Sequence, residues 1–539
     1  TDYSPDGHAA RLELCRRSAA ALDRLEPGDD RDRIAKEFAA ERLSTAIARA
    51  ESGEELRALN ILHSPMQSVR QVFDVMARDT EEQWEAVASR MEHVPTALAG
   101  LRRSLDTAVA DGRPPARRQV LACAAQAWTW SGQTGGHGPG HDAGSSFFEA
   151  YVDSYGGDAG SLARRLRAAA ETAASAYAEL AAWLEGDLAA VAAATDPVGA
   201  ERYQLSARTY LGAPVDTAET YAWGWEEVHR IEDEMRVVAG QISAGATVAH
   251  AAEILRTDPA LAVHGEDALV GFLQDLMDRT IEELDGVHFD IPDPLKTVEA
   301  MIDPPGGAAA PHYSPPSEDF SRPGRTWYPT LGKTVFPLWG EVSTCYHESV
   351  PGHHLQSGHV RWMGDELTKY QRRTFTSGHG EGWALYAERL MDELGKFDRP
   401  GYRLGYLRSQ LMRALRVVVD IGMHLEYSIP ATENFHPGER WTPALGAAFL
   451  FERSHYPRDF MSSELDRYLG LPAQAVSYKV GERAWLAARA AARRAAGDAF
   501  DLKAFHTCAL GLGPVGLDQL VDECGRPSTP APGAAEPRS

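Results

Sequence analysis

Apolar and charged positions recur at helical spacing from residue 8 to about 110, with few breakers. Ile34, Phe38, Leu43 and Ile47, interleaved with Lys36, Glu37, Glu41 and Arg42, are a representative run. Pro114-Pro115 ends one helix, and residues 120–130 read as an apolar helix or buried segment. Residues 160–195 are rich in Ala with Arg and Glu, a strong helix former closed by Pro197-Val198-Gly199. Asp216 or Thr217 caps the next helix, with Glu219 in its first turn; it carries Tyr221, Trp223 and Trp225 and runs to Ile242. Prolines at 292, 294, 304, 305, 315, 316, 323, 329 and 337 preclude long helices between 291 and 340. Residues 325–328 and 334–338 alternate as strands of a small hairpin or sheet edge, able to hold an extended peptide or simply cover the core. Beyond Pro400-Gly401, residues 402–427 read as one long helix, 432–443 as a loop, and 484–496 as a further helix that follows Tyr478-Lys479. The expectation is a mainly α protein: a large multi-helix body with a small β element near the chemistry described below. It divides into an N-terminal helical region (1–290), a second helical region with short strands (291–524) and a disordered Pro/Ala-rich tail (525–539).

At 539 residues the chain is long enough for several units or one large body. Its 54 basic and 77 acidic residues leave a net charge of −23, which argues against nucleic acid or an anionic membrane as partner. Five scattered cysteines without a CxxC pair fit reduced thiols rather than a disulfide framework. Cys345, two residues before a histidine of interest, reads as a small buried residue rather than a nucleophile. With no apolar run of membrane length and no signal-like first residues, the expected location is cytoplasmic. The glycine-rich segment 132–144 carries His137 and His141 and reads as a mobile loop, at most a lid.

The candidate chemistry lies in Tyr346-His347-Glu348-Ser349-Val350-Pro351-Gly352-His353-His354 and in Gly380-Glu381-Gly382-Trp383-Ala384-Leu385-Tyr386-Ala387-Glu388. A His-Glu pair opening a helix, more histidines nearby and a glutamate on the next helix suit a divalent-metal hydrolase. In His-Glu-x-x-His both imidazoles bind the metal and Glu activates its water. Pro351 occupies the fifth position here, so the second imidazole belongs to His353 or His354. On an ideal helix at ~100° per residue His354 returns near the azimuth of His347, roughly 10 Å further along. Pro351-Gly352 disfavours an ideal helix, and a bulged turn there would swing His353 back, which favours His353 with His354 as the alternative. Glu381 is the expected third ligand. Glu388, seven residues on, shares its helix face and orients a ligand histidine without touching the metal.

These runs, read as His-Glu-Ser-Val-Pro-Gly-His-His-Leu-Gln and Glu-Gly-Trp-Ala-Leu-Tyr-Ala-Glu, resemble the bacterial domain-of-unknown-function 885 family. Further matching stretches are residues 219–225, 316–324, 420–424 (Asp-Ile-Gly-Met-His), 477–481 (Ser-Tyr-Lys-Val-Gly), Phe505-His506 and 510–513, so the resemblance spans about 55 to 522. It implies a mostly helical, zincin-like body and a zinc peptidase with a glutamate ligand. One departure stands out: Trp441-Thr442-Pro443-Ala444-Leu445 lacks the acid usual in that stretch, which bears on local contacts and substrate choice.

The resulting expectation is a zinc-dependent hydrolase of a peptide or amide bond, carboxypeptidase- or dipeptidase-like, holding one Zn2+ through His347, His353 and Glu381, with manganese and cobalt as other metals such a site takes. Glu348 is the general base that becomes general acid. Tyr478 and His424 are candidate donors to the developing oxyanion, and Arg467 or Lys479 a candidate clamp for a terminal carboxylate. Arg408, Arg413, Arg416, Asp420 and His424 recur near i, i+4 spacing, which makes Asp420 a candidate to support the metal's ligands or part of a salt-bridged helix interface. The rival reading is a metal-dependent tailoring enzyme of a biosynthetic pathway, acting on a non-peptide amide or as a lyase. A non-catalytic scaffold is the third; it leaves Glu348 without a task.

Overall fold

The structure is a computed structural model, and it describes residues 1–133, 144–303 and 310–526. His137, His141, Pro304, Pro305 and the tail beyond Arg526 lie outside the described residues.

The apolar side chains gather in two clusters. One is built from the N-terminal helices, from Leu59 on the approach to them, through Trp84, Leu105 and Val120, to Tyr177 and Ala189. The Ala-rich helix Ser161–Trp183 is its spine, presenting Leu166, Ala170, Ala173 and Tyr177 along one face. The larger cluster takes Ile34 from the helix Asp30–Glu51 and then runs from Tyr203 to Cys524. Residues 203–291 therefore share a core with the site-bearing helices.

The elements that build the site are labelled in chain order: α1 (Gly199–Leu211), α2 (Thr217–Ile242), α3 (Glu266–Leu284), α4 (Glu341–Glu348), α5 (His353–Met363), α6 (Ser377–Glu393), α7 (Pro400–Leu425), α8 (Arg458–Gly470) and α9 (Ser477–Ala496). Between Leu404 and His424 nearly every α7 residue is buried, so this helix is the axis of the larger core. α2 lies along it; a Cβ on Gly224 would stand 2.9 Å from Val417 Cγ1, so the glycine sets how near the two helices come. Asp216 caps α2, its carboxylate accepting from the N–H groups of Ala218 and Glu219 at 3.0 Å each. Among the described residues no helix is long and apolar enough to cross a membrane.

The proline-rich stretch carries the strands β2 (Val298–Ile302), β3 (His312–Ser314), β4 (Gly324–Tyr328) and β5 (Val335–Pro337), preceded by β1 (Ala262–His264). The two strands anticipated as a small hairpin or sheet edge do not pair with each other, and of the two only β5 is an edge strand. β4 runs parallel to β2 and antiparallel to β3, in the order β2-β4-β3, whereas β5 pairs antiparallel with β1. Alternation marked them as strands, but local sequence does not carry the partner choice. α3 packs on β2, and α5 on β3 and β4, so the small sheet lies against the helix that follows the His-Glu pair.

Candidate metal centre

α4 ends on Glu348. Ser349 leaves the helical region (φ −103°, ψ −125°), and Pro351 brings no N–H. At Gly352 the chain doubles back so tightly that a Cβ would lie 1.9 Å from the His347 carbonyl oxygen, which only glycine avoids. α5 then starts at His353, whose ring faces that of His347 with centres 4.8 Å apart and planes at 88°. The break leaves the Pro351 carbonyl outside either helix, where an unmade buried hydrogen bond costs about 1–3 kcal/mol, while the Gly352 carbonyl accepts from the Gln356 N–H at 3.2 Å. The Trp383 indole N–H reaches both, at 2.8 and 3.1 Å. The His-Glu pair thus closes one helix, where it had been expected to open one. The second imidazole arrives on the next.

α6 delivers Glu381. Its Oε2 lies 3.5 Å from Nε2 of His347 and 3.5 Å from Nε2 of His353, and the three ligand atoms all fall within 4.8 Å of one another. Tetrahedral zinc with ligands at ~2.0–2.2 Å sets its donors roughly 3.3–3.5 Å apart, so the donor types and the two 3.5 Å separations fit such an ion. Burial alone would raise the Glu381 carboxyl; the two imidazoles hold it well below the usual carboxylate range. Gly382 and Gly481 set its position. A Cβ on Gly382 would lie 2.4 Å from the Gly481 carbonyl carbon, and one on Gly481 2.1 Å from the Gly378 carbonyl oxygen. α6 and α9 therefore meet backbone to backbone, which puts the first turn of α9, with Tyr478, beside Glu381.

Glu388 is fully buried and holds His347 from behind: its Oε1 is 2.7 Å from His347 Nδ1, while Ser343 Oγ donates to Oε2 at 2.6 Å. Arg413 adds its charge 3.8 Å from Oε1. Burial opposes ionisation, but Arg413, His347 and Ser343 together keep the Glu388 carboxyl below its ordinary value. The grip fixes the tautomer of His347 and leaves Nε2 for the Glu381 side. Without a metal, burial would lower His347; its hydrogen bonds with Glu381 and Glu388 win and push it up to about 9. Glu348 is buried next to the cluster, and burial raises its carboxyl against the pull of His347 and His353.

The remaining sequence candidates divide. His354 turns away from the centre: Nε2 meets the Leu295 carbonyl oxygen at 2.9 Å and Nδ1 the Tyr313 hydroxyl at 3.0 Å, so it pins β3 and the turn Asp293–Leu295 ahead of β2 to α5. The alternative of His354 as ligand is thereby corrected. Tyr478, half-buried, feels the charge of Glu381, and its hydroxyl has no hydrogen bond among the described residues. His424 is not beside the metal ligands. It bonds through Nε2 to the Tyr468 carbonyl oxygen at 3.0 Å, and burial lowers it to about 4. Asp420 is also elsewhere, accepting from the Tyr203 hydroxyl (2.6 Å) and the Ala473 N–H (2.9 Å). On α7 the residue that reaches the site is Arg413, and Asp420 and His424 lie two and three turns further on, about 10 and 16 Å along the axis. Lys479 is fully buried and spends its charge on Glu482, on Glu227 at 3.0 Å and on Gln410 at 3.1 Å, leaving none for a substrate. Arg467 bonds Glu464 at 2.7 Å and Gln474 at 2.9 Å and lies within electrostatic reach of Tyr478. Cys345 is buried and its thiol pushed up to about 12 by that burial, which fits a packed core residue and disfavours a thiolate. Ser343 was missed; its place four residues before His347, on the same helix face, was the available signal.

No curated protein matches this chain. In fold it is similar to the crystal structure of a candidate lipoprotein from Colwellia psychrerythraea (TM-score 0.81, 21% identity, covering 97% of this chain and 91% of that one). It is similar too to a candidate lipoprotein of unknown function from Shewanella oneidensis (TM-score 0.71, 18% identity, 97% and 93% covered). The model of the family described as bacterial protein of unknown function, DUF885, matches residues 1–523, and the chain belongs to that family.

Proposed function

We propose that this protein is a zinc-dependent hydrolase of peptide or related amide bonds. One observation carries the reading: His347, His353 and Glu381 converge to within ligand distance of one another, with Glu348 buried alongside. His347, His353 and Glu381 would hold the zinc, which would supply a Lewis acid for the scissile carbonyl and water acidified toward ~7. Glu348, whose carboxylate has no hydrogen-bond partner among the described residues, accepts the proton of the attacking water and returns it to the departing nitrogen. Glu388 keeps His347 in one tautomer. Tyr478 donates its free O–H to the carbonyl oxygen as that oxygen turns negative. β3, the outer strand of its sheet, carries His312 within electrostatic reach of Glu348 and offers an edge along which an extended substrate can lie. The five unpaired cysteines favour a reducing, cytoplasmic location.

The test is metal content with turnover. The purified chain is expected to carry about one zinc and to cleave short peptides in a manner abolished by a chelator and restored by zinc. Glu348→Gln is expected to keep the metal and lose about 10²–10⁴ of the rate, the usual contribution of a positioned proton acceptor. Loss of zinc in that variant would make Glu348 a ligand and overturn these roles.

A further inference from the structure

Three arginines from two helices gather around Tyr478. The guanidinium of Arg416 lies 4.7 Å from the Tyr478 ring centre and that of Arg413 5.7 Å, and Arg467 acts on the same phenol. Few acids answer them. Glu464 takes both Arg416 Nη2 (2.5 Å) and Arg467 Nη2 (2.7 Å) through one oxygen, Oε2, which also accepts from the Tyr468 hydroxyl at 2.7 Å. Glu388, the acid nearest Arg413, is already committed to His347 and Ser343. Asp420 also acts on Arg467, but it is fully buried and bonded to Tyr203 and the Ala473 N–H. The Nε atoms of Arg413 and Arg467 are buried without a hydrogen-bond partner among the described residues. In a protein of net charge −23, three guanidiniums sharing so few carboxylates beside one phenol are not a solvated surface.

The N-terminal core closes in on this end. Gln119 Nε2 donates to the Asp466 carbonyl oxygen at 2.8 Å, Arg118 pairs with the Asp466 side chain at 3.2 Å, and His63 lies within electrostatic reach of Arg467. From the metal ligands the groups run through Tyr478 to the arginines, and the N-terminal helices pack against the turn of α8 that carries the last of them.

We infer that Arg467, with Arg413 and Arg416, receives a free carboxylate of the substrate next to the scissile bond, so that the protein removes C-terminal residues or splits dipeptides. Planar guanidinium pairs with carboxylate through parallel hydrogen bonds, which a lysine in the same place does not reproduce. Arg467 is the best placed: Glu464 and Gln474 each take one Nη, its Nε keeps no partner among the described residues, and it acts on the same phenol as Glu381. The inference rests on the hydrolase reading for its account of the reaction, but carboxylate binding is measured without turnover.

The experiment titrates 3-phenylpropanoate and 3-phenylpropan-1-ol, neither of which can be hydrolysed, into the full chain loaded with zinc and into Arg467→Gln, by calorimetry. The acid is expected to bind, to compete with peptide substrate, and to bind about 10–100-fold more weakly to Arg467→Gln, the worth of one charge-assisted pair; the alcohol is expected to bind weakly and equally to both. Zinc content and melting temperature confirm that the variant is folded, and Arg467→Lys, which keeps the charge without the fork, is expected to recover only part of the loss. Equal binding of acid and alcohol, no binding of the acid, or acid binding indifferent to residue 467 overturns the inference; the last places the carboxylate on the metal or elsewhere. Arg467-dependent acid binding by a chain that neither holds zinc nor cleaves peptides would sink the hydrolase reading and keep the carboxylate site. Chelator-sensitive cleavage with no preference for the acid would do the reverse.

Discussion

His353 and His354 are adjacent in sequence and do opposite work. The first faces His347 across the helix break; the second is consumed by a backbone carbonyl and the Tyr313 hydroxyl. His353→Ala is therefore expected to lose most of its zinc by elemental analysis. His354→Ala is expected to retain zinc and to lose about 1–3 kcal/mol of stability from two broken buried hydrogen bonds. The reverse pattern would move the centre. Glu388→Gln, which weakens the hold on His347 Nδ1, is expected to reduce zinc affinity about 10–100-fold in a competitive chelator titration. His353 was legible because Pro351-Gly352 forbids a regular helix, so the usual spacing had to fail in a particular way. Lys479 and His424 were misread for the opposite reason. Their partners, Glu227 and the Tyr468 carbonyl, are distant in sequence, and charge or ring chemistry alone does not show whether it is already spent.

Between elements, the site depends on where helices touch. α6 and α9 carry Glu381 and Tyr478, and they cross where Gly382 and Gly481 bring backbone against backbone. Gly382→Ala would drive a methyl into backbone with nothing flexible to yield. The expected cost is about 1–3 kcal/mol in denaturant unfolding, together with a larger loss of activity than the stability change accounts for. Unchanged kcat/KM in that variant would mean the crossing does not place the ligand. The long helices were readable from periodicity, α7 nearly to the residue and α2 with its cap. The pairing of strands was not, because β4 and β5 find partners from α3's flanks and from the proline-rich stretch rather than from each other. The expected spacing of Arg413, Asp420 and His424 along α7 was real. A helix of this length runs well past a single metal centre, and only its middle reaches it.

At the scale of the whole molecule, burial of neutral histidines sets the response to acid. His354, His424 and His506 are each drawn down to about 4 by burial. Depressed bases bind fewer protons folded than unfolded, so their contribution is intact above ~6.5 and is lost as pH falls toward 4, at up to about 1.4 kcal/mol per pH unit for each. Asp420 works the other way: burial raises it to about 7, so the folded state holds its proton and loses stability as pH rises from about 4 to 7. Calorimetric melting between pH 4 and 8 is expected to show a fall on the acid side that becomes steeper in Asp420→Asn, with that variant gaining over the parent as pH approaches 7. A parallel shift at every pH would rule out Asp420 as the opposing group.

The two apolar cores share a boundary fastened in part by polar contacts: Arg118 and Gln119 of the N-terminal core both reach Asp466. Contacts of that kind are weakened by dissolved electrolyte, whereas oil-like interiors are not. Ionic strength thus becomes a dial that loosens one half of the protein from the other while leaving each half intact, and it acts on the joint that sits next to Arg467.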